Sequence, residues 1–380
     1  MVINKNSCKK ILILSKISNI NPITIVHVGL KSLHGFSYNP NEFNLLVASA
    51  GIKPWSCWSI KIGNPNKKYF LGTGLIEELK IYCHLHDQKK IIINTVLTPK
   101  HQSELEKYLC VEIMDRNQLI LELFSQRAHS YEGKLQVELA KLAYLSTRLV
   151  RGWTHLERQR GGVGLRGGPG ETQLEIDKRL LATRINRCKQ KLNKFQKHRE
   201  TTLKKRKDIF SVNLIGYTNA GKSTLFELLT KKACYHDDRY FATLDPLSAS
   251  LSIDEHKLVL TDTVGFIEHL PDPLLSAFKA TLSEISLANL LCIVIDVSDP
   301  NFRNQIETIE AILLDLDTNH IPRYYLFNKI DRVDIEDLKM PFYSDVDCSY
   351  ISALKQIGIS NFRSYLVEQL KQFRDSNNNQ

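Results

Sequence analysis

The residues best suited to chemistry lie at 216–224, where the sequence reads GYTNAGKST. Gly216 and Gly221 are separated by four residues, and Lys222 and Ser223 follow directly. The apolar run FSVNLIG before this stretch predicts a strand, and TLFELLT after it predicts a helix. In that context, backbone N–H groups cradle phosphate oxygens, Lys222 reaches the β- and γ-phosphates, and the Ser223 hydroxyl coordinates Mg²⁺. The spacing therefore predicts a nucleoside triphosphate site that uses Mg²⁺.

Two further motifs supply groups around the phosphates. The strand-like run HKLVLTD ends at Asp262, which we expect to reach the metal through a water, and the Gly265 N–H is placed to meet the γ-phosphate. Between the motifs, FATLDP contains Thr243, which would contact Mg²⁺ and phosphate only when the γ-phosphate is present. The segment is therefore a predicted switch. The predicted catalytic residues are Lys222, Thr243, Asp262 and Gly265.

The choice of base is indicated by NKID, which ends at Asp331. A carboxylate there accepts hydrogen bonds from both the ring N–H and the exocyclic amine of guanine, a pair of donors that adenine lacks. Asn328 would brace the base and the loop, and the Lys329 stem would lie over the ring. Ser352 and Ala353 could offer a backbone N–H to the guanine oxygen, so the set predicts GTP rather than ATP. The predicted nucleotide contacts are Gly216, Tyr217, Thr218, Asn219, Ala220, Gly221, Lys222, Ser223, Thr224, Phe241, Ala242, Thr243, Leu244, Asp245, Asp262, Thr263, Val264, Gly265, Asn328, Lys329, Ile330, Asp331, Ser352, Ala353 and Leu354.

Two positions bear on the rate of hydrolysis. Phe266 stands where Ras-like proteins carry the glutamine that orients the attacking water. Phenylalanine cannot do this, so we expect slow hydrolysis until a partner or a backbone group helps. Asn219 lies inside the phosphate loop, and GTPases with asparagine there resemble those that bind K⁺ beside the phosphates. The predicted metal ligands are Ser223 and Thr243 for Mg²⁺, Asp262 through a water, and, as a hypothesis, Asn219 for K⁺.

A second glycine-rich stretch, GGVGLRGGPGET, occupies 161–172. Its spacing Gly162-x-Gly164-x-x-Gly167 is that of a dinucleotide-binding turn, but such a turn needs a strand before it and a helix after it. A helical pattern precedes it here, so a nicotinamide enzyme is the weaker alternative. We interpret the stretch as the tip of a helical hairpin, longer than the roughly 2 to 5 residues that a plain connector needs. The predicted RNA contacts are Arg158, Arg160, Gly161, Gly162, Gly164, Arg166 and Gly167.

Positive charge is concentrated around this hairpin. The chain has 51 Lys and Arg against 41 Asp and Glu, and residues 131–208 alone contain 20 against 8. This surplus predicts a polyanionic partner, either nucleic acid or an anionic membrane face, and a solvated helix surface is the alternative. Apolar residues at helical spacing predict two long helices with facing stripes. The stripes are Leu135, Leu139, Leu142, Leu149, Trp153 and Leu156, then Leu174, Leu181, Ile185, Cys188, Leu192 and Phe195.

Strand-sized and helix-sized runs alternate on both sides of the hairpin. From about 23 to 125 they predict a small α/β domain. From 209 on, repeated strand–helix alternation predicts a mainly parallel, doubly wound sheet. The predicted fold class is α/β: a P-loop G domain with such a sheet, preceded by the small α/β domain and the long helical hairpin. The predicted boundaries are 1–128 for the N-terminal domain, 129–208 for the hairpin, 209–375 for the G domain and 376–380 for a disordered tail.

Other functional classes are less well supported. The eight cysteines contain no Cys-x-x-Cys pair, which argues against a disulfide framework or a zinc knuckle. Cys83, His84 and His86 form the one cluster that could hold a metal, but no second half-site accompanies it. No apolar run approaches the roughly 20 residues that span a bilayer. We expect a cytoplasmic monomer.

The assembled motifs closely resemble those of the HflX family of GTPases. The resemblance runs through RGWTHLERQRGGVGLRGGPGETQLE, GYTNAGKSTLF, LTDTVGFIEHLP and NKID, and it covers nearly the whole chain. It implies a ribosome-associated GTPase that binds the large subunit and its rRNA, with the hairpin tip in the peptidyl-transferase region. Several members separate stalled ribosomes under stress. The competing hypothesis is a GTP-dependent switch acting on a protein or membrane partner, with peripheral membrane association.

The resemblance also implies weak ATP binding or RNA unwinding by the N-terminal domain of some members. The relevant stretch here is YFLGTGLIEELK, which predicts a strand end, a Gly-Thr-Gly turn and a helix start. Leu75 follows the turn where the family commonly has lysine. This departure argues against a nucleotide site in the N-terminal domain of this chain.

Overall fold

The computed structural model describes residues 23–30, 40–152, 173–204, 209–231, 247–253, 256–263, 265–267, 285–333 and 347–378. The chain divides into two compact units, and the division falls between Leu119 and Ile120. Among the helices in the described ranges, none combines the length and the apolar character needed to cross a membrane.

The first unit is built around a parallel sheet. Its strands are β1 (Ile23–Leu30), β2 (Ser56–Ile62), β3 (Lys90–Ile93) and β4 (Glu112–Met114), in the order β2-β1-β3-β4. Its helices are α1 (Pro40–Ser49), α2 (Thr73–Leu85), α3 (Pro99–Leu109) and the beginning of α4 (Arg116–Arg127), which crosses the division. Side chains such as Val26, Ile91 and Leu105 form a buried core. The predicted α/β pattern of this region is confirmed.

Two strands of this sheet do not stand out in the sequence. In β2, exposed and partly buried residues alternate, because only one face of this edge strand is covered. In β4, only three residues pair with the neighbouring strand. Both strands are recognised only when their parallel partners are known.

A buried ion pair ties helix α1 to the start of α4. The Arg116 guanidinium is fully buried and donates to both carboxylate oxygens of Glu42, at 2.6 and 3.1 Å. Asp115 accepts hydrogen bonds from the backbone N–H groups of Leu97 and Gln118. Buried charges persist only where they are paired in this way, so these contacts fix how the two helices meet the sheet.

The hairpin helices are α5 (Tyr131–Gly152) and α6 (Gln173–Lys204). Leu135 and Leu142 of α5 are buried with Cys188 and Leu192 of α6, and further members of both predicted stripes pack against them. The Tyr131 ring, at the start of α5, lies 5.6 Å from the ring of Phe195. The helices therefore run antiparallel, and the predicted meeting of the two stripes is confirmed over these residues. Trp153, Leu156 and the whole glycine-rich tip lie outside the described residues.

The rest of the second unit is built around a larger sheet. Its strands are β5 (Phe210–Gly216), β6 (Leu247–Ile253), β7 (His256–Asp262), β8 (Leu290–Asp296), β9 (Arg323–Asn328) and β10 (Cys348–Tyr350), in the order β10-β9-β8-β5-β7-β6. Only β6 runs antiparallel to its neighbour among these pairings. The helices are α7 (Lys222–Thr230), α8 (Phe302–Asp315) and α9 (Ile359–Asn378).

Helices cover both faces of this sheet. On one face, α7 and α9 contribute Leu225 and Phe362 to a core that also contains Tyr324 and Leu326 of β9. Successive side chains of a strand point to opposite faces, so Tyr325 points away from this core. Its hydroxyl donates to Glu310 of α8, which places α8 on the other face. The mainly parallel, doubly wound arrangement is confirmed.

The C-terminal end of the chain differs from the prediction. Residues 376–380 were expected to form a disordered tail, but α9 continues to Asn378. The amphipathic pattern of this helix, anchored by the buried Leu366 and Leu370, carries its last turn into the polar sequence. Local composition alone did not show this.

Candidate nucleotide-binding site

The loop after β5 is shaped by close backbone approach and by left-handed residues. A methyl group on Gly216 would overlap the carbonyl oxygen of Val294 in β8. Asn219 and Gly221 have φ values of 63° and 94°. The chain then enters α7 at Lys222, so the loop ends at a helix N-terminus with backbone N–H groups that have no intrahelical acceptor. An anion held there would meet the positive end of the helix dipole.

Lys222 lies inside the loop. It is buried, and its Nζ donates to the backbone oxygens of Gly216 and Tyr217 at 3.0 and 2.8 Å. Burial lowers the pKa of Lys222 to about 8, although the nearby Asp262 carboxylate opposes the shift. The ammonium therefore lies in a region of low dielectric, where its attraction for a phosphate is strong.

Ser223 and Asp262 converge at the start of α7. The Ser223 hydroxyl donates to Asp262 Oδ2 at 2.7 Å, and Asp262 is fully buried at the end of β7. A hydroxyl and a carboxylate are the oxygen donors that Mg²⁺ prefers, and both already face the same point beside Lys222. These residues fit the Mg²⁺ that GTPases use.

The segment after β7 is joined to the phosphate loop by backbone hydrogen bonds. The Phe266 N–H donates to the Gly216 carbonyl at 3.0 Å, and the Thr218 N–H donates to the Phe266 carbonyl at 2.7 Å. A methyl group on Gly265 would lie 2.8 Å from Thr218 Cγ2 and 3.0 Å from Lys222 Nζ. The predicted γ-phosphate-sensing glycine thus packs directly on the predicted phosphate loop. The Phe266 side chain is buried, so it orients no water in this conformation.

Asn328, at the end of β9, connects the phosphate loop to the β10 loop. Its Nδ2 donates to the Ala220 carbonyl at 2.8 Å, and its Oδ1 accepts from the Ala353 N–H at 2.9 Å. A methyl group on Gly221 would overlap the Asn328 amide. One buried amide therefore bonds both the phosphate loop and the loop after β10, which agrees with the bracing role predicted for Asn328.

Asp331 and Ser352 form the next contact along this edge. The Ser352 hydroxyl donates to Asp331 Oδ1 at 2.6 Å, and the same hydroxyl accepts from the Lys355 N–H. This hydrogen bond holds the pKa of Asp331 below its usual value. The carboxyl group is therefore ionised at neutral pH and able to accept from two donors of a guanine.

Lys329 is anchored by a residue that the sequence analysis did not identify. Its Nζ lies 2.6 Å from Asp296 Oδ2, and both side chains are mostly buried. Asp296 Oδ1 accepts in turn from the N–H and the hydroxyl of Ser298. Asp296 ends β8 and pairs in register with Asn328, but neither relation is visible until the strands are aligned.

Other predicted contacts are placed with these groups. Thr224 follows Ser223 in the first turn of α7, and Ile330 follows Lys329 in a short 3₁₀ turn. The Thr263 hydroxyl is buried and donates to the Leu214 carbonyl, so this side chain stabilises the strand end. Leu354 is exposed next to Ala353.

The remaining predicted site residues lie outside the described residues. They are Phe241, Ala242, Thr243, Leu244, Asp245 and Val264 of the predicted nucleotide site, and Arg158, Arg160, Gly161, Gly162, Gly164, Arg166 and Gly167 of the predicted RNA-binding tip. Their roles remain predictions.

The alternative metal cluster finds no support in the first unit. Cys83 and His84 line a cleft of about 600 Å³. Burial raises the pKa of the Cys83 thiol to about 11. The His86 ring packs against Tyr82. Within the described ranges, no group of three or more His, Cys, Asp or Glu residues is arranged to hold a metal.

Family models match the chain in three consecutive segments. They are described as GTP-binding GTPase N-terminal over 38–125, GTP-binding GTPase Middle Region over 127–206, and 50S ribosome-binding GTPase over 211–329. The curated GTPase HflX of Magnetococcus marinus is 44% identical over 297 residues, which cover 77% of this chain and 69% of that protein. The chain belongs to the HflX family of GTPases. The chain is also 43% identical to the Escherichia coli K12 GTPase HflX over 336 residues, which cover 87% of this chain and 78% of that protein.

A solved structure of a GDP-bound protein shares this fold. The crystal structure of a protein named SsGBP, in complex with GDP, has a TM-score of 0.52 and 27% identity to this chain. The match covers 92% of this chain and 99% of that one. The P-loop G domain predicted from the sequence is confirmed, and as an HflX-family protein the chain is a GTPase. These matches favour a GTPase over the nicotinamide-enzyme alternative.

Proposed function

We propose that this HflX-family GTPase binds the large ribosomal subunit when loaded with GTP, and that it separates stalled ribosomes into subunits under stress. The observation that carries the proposal is the surface of α6. Seven basic side chains between 178 and 194 are all exposed on this helix, whose apolar stripe is buried against α5. They are Lys178, Arg179, Arg184, Arg187, Lys189, Lys191 and Lys194.

The distribution of this charge suits ribosomal RNA. A rigid helix pair presents one long basic surface, which can follow a phosphate backbone without reading its sequence. Acidic residues are few on α6, and two of them, Glu175 and Asp177, lie in its first turns. The proposed tip contacts, with Arg158, Arg160 and Arg166, would extend the same surface. This proposal places the protein in the cytoplasm, where ribosomes work.

The proposed nucleotide site uses the groups at the carboxyl edge of the larger sheet. Lys222 and the α7 N-terminus would hold the phosphates, with Ser223 and Asp262 as the residues for Mg²⁺. Asp331 would accept from guanine, and Lys329 would lie over the ring. Support comes from the way Asn328 joins the phosphate loop to the base loops through two hydrogen bonds.

Hydrolysis in this proposal is slow until the ribosome assists. Phe266 is buried and has no group to orient water, so another group must do so. Thr243 and Gly265 would close on the γ-phosphate, docking of the hairpin would follow, and hydrolysis would release the protein. We further propose that Asn219, exposed with a left-handed backbone, is a ligand for K⁺. Equal turnover in potassium and sodium buffers would contradict this point.

The main experiment measures GTPase rate and ribosome binding together. Wild-type protein with a non-hydrolysable GTP analogue should co-migrate with large subunits on a sucrose gradient, and its GTPase rate should rise when large subunits are added. Lys222→Ala should abolish both hydrolysis and co-migration. A Lys222→Ala protein as active as wild type would show that the phosphate loop is wrongly assigned.

A charge variant of α6 tests the partner separately from the nucleotide site. Replacing Arg184, Arg187 and Lys191 with glutamine should leave basal GTPase activity unchanged and weaken ribosome binding. The slope of log affinity against log salt should fall by about two to three, because fewer counterions are released. The matched control replaces Arg303, Arg363 and Lys371, exposed residues of α8 and α9, with the same loss of charge.

The competing function is a GTP-dependent switch on a protein or membrane partner. It predicts that wild-type protein fails to co-migrate with large subunits in any nucleotide state. Binding of the GTP form to vesicles that contain anionic lipid, lost in the α6 charge variant, would favour the switch.

A further inference from the structure

We infer that Asp296 is a positioning residue for guanine binding, which holds the Lys329 side chain as one wall of the base slot. The inference deepens the proposed nucleotide site and rests on the assignment of Lys329 to the base. Asp296 belongs to none of the sequence motifs for phosphate, metal or base. Its place is given by the contact between the ends of β8 and β9.

The contact has the features of a built anchor. Asp296 Oδ2 lies 2.6 Å from Lys329 Nζ, and the exposed fractions of the two side chains are 18% and 14%. Asp296 Oδ1 accepts from the Ser298 N–H at 3.0 Å and from the Ser298 hydroxyl at 2.5 Å. Three donors therefore fix the orientation of one carboxylate, and short charge-assisted hydrogen bonds of this kind are among the strongest in proteins.

The backbone of Lys329 directs its side chain to this anchor. Lys329 has φ 68° and ψ 32°, in the left-handed region, and the preceding carbonyl of Asn328 accepts from the Val297 N–H at 3.1 Å. The β8 and β9 ends are thus tied both by backbone and by side chain. Because the ammonium is held at Asp296, the four-carbon stem of Lys329 extends from the end of β9 to the end of β8.

An anchored stem differs from a free lysine in what it offers a base. A lysine side chain has many rotamers, and binding that immobilises one of them loses affinity. The Asp296 contact removes this loss before the nucleotide arrives. It also keeps the ammonium away from the phosphates, so Lys329 contributes to the base and Lys222 to the phosphates. Removing Asp296 should therefore weaken the binding of GDP and of GTP by the same factor and leave kcat unchanged.

A double-mutant cycle on the full chain tests this inference with GDP affinity as the readout. Asp296→Ala should weaken GDP binding by roughly tenfold, within the usual coupling range for residues in contact. In a Lys329→Ala background, the same substitution should change GDP affinity by less than about twofold. A matched control is Asp299→Asn, because Asp299 accepts from Gln305 and from the Asn301 N–H in the same loop and does not touch Lys329.

The outcomes separate this inference from the assignment of the base site. An equal loss in both backgrounds would overturn it, because Asp296 would then act on the structure without Lys329. Full GDP affinity in Lys329→Ala would overturn the base-site assignment itself. Loss in Lys329→Ala with none in Asp296→Ala would overturn only the positioning role. If Asp296→Ala does not fold, Asp296→Asn in the same cycle decides, because it keeps the size and the Ser298 contacts but removes the charge.

Discussion

Gly221→Ala tests whether one buried amide couples the phosphate loop to the base loops. Gly221 has φ 94°, and a methyl group on it would overlap the Asn328 amide. An L-residue in the left-handed region costs about 1–2 kcal/mol. Displacing Asn328 also breaks its bonds to Ala220 and Ala353, and each buried group left without a partner costs about 1–3 kcal/mol.

These costs sum to about 3–8 kcal/mol if both hydrogen bonds are lost. Since a factor of ten in affinity corresponds to about 1.4 kcal/mol, we expect GDP affinity to fall by at least 100-fold. Titration calorimetry measures this affinity, and a thermal melt reports whether the change also destabilises the protein. Gly51→Ala serves as the control, because Gly51 has φ 72° with nothing within 4 Å of the added methyl group.

A second comparison isolates the overlap itself. In an Asn328→Ala background, Gly221→Ala should cost only the roughly 1–2 kcal/mol of the left-handed backbone conformation, because the Asn328 amide that the methyl group would displace is absent. If Gly221→Ala in the wild-type background binds GDP within about threefold of normal, below 1 kcal/mol, the described packing of Asn328 against the loop is wrong.

Two further predictions concern the first unit. Glu42→Ala leaves the fully buried Arg116 guanidinium without its partner and should destabilise the unit by about 3–5 kcal/mol, measured by urea unfolding. Glu104→Ala, which removes surface ion pairs with Lys68 and Lys107, should cost less than about 1 kcal/mol. Burial lowers the pKa of His27, although its hydrogen bond to Asn44 opposes the shift. The unfolded chain therefore takes up the proton at a higher pH than the folded chain does, so the free energy of unfolding should fall as the pH drops below about 6.5. A His27→Gln variant should lose this dependence in amide exchange of β1 corrected for intrinsic rates, and an unchanged pH dependence would contradict the assignment.

Local patterns were sufficient to predict most elements of the fold. The apolar runs of β1, β5, β7, β8 and β9 are strongly periodic or continuous, and the stripes of α5 and α6 repeat at helical spacing. The phosphate-loop spacing also predicted its strand-loop-helix context. Short or one-sided elements were missed, as β2 and β4 show, because their stability comes from neighbours and not from their own sequence.

By itself, the sequence determined the chemistry that the chain can perform: which residues could hold phosphates, metal and guanine, and where the positive charge lies. These properties reside in residue types and short spacings, so they can be read without coordinates. Only the tertiary structure decided which distant residues meet, such as Asp296 with Lys329 and Gly221 with Asn328. Those contacts depend on strand order and register, and a strand pairs with partners that its own residues do not specify.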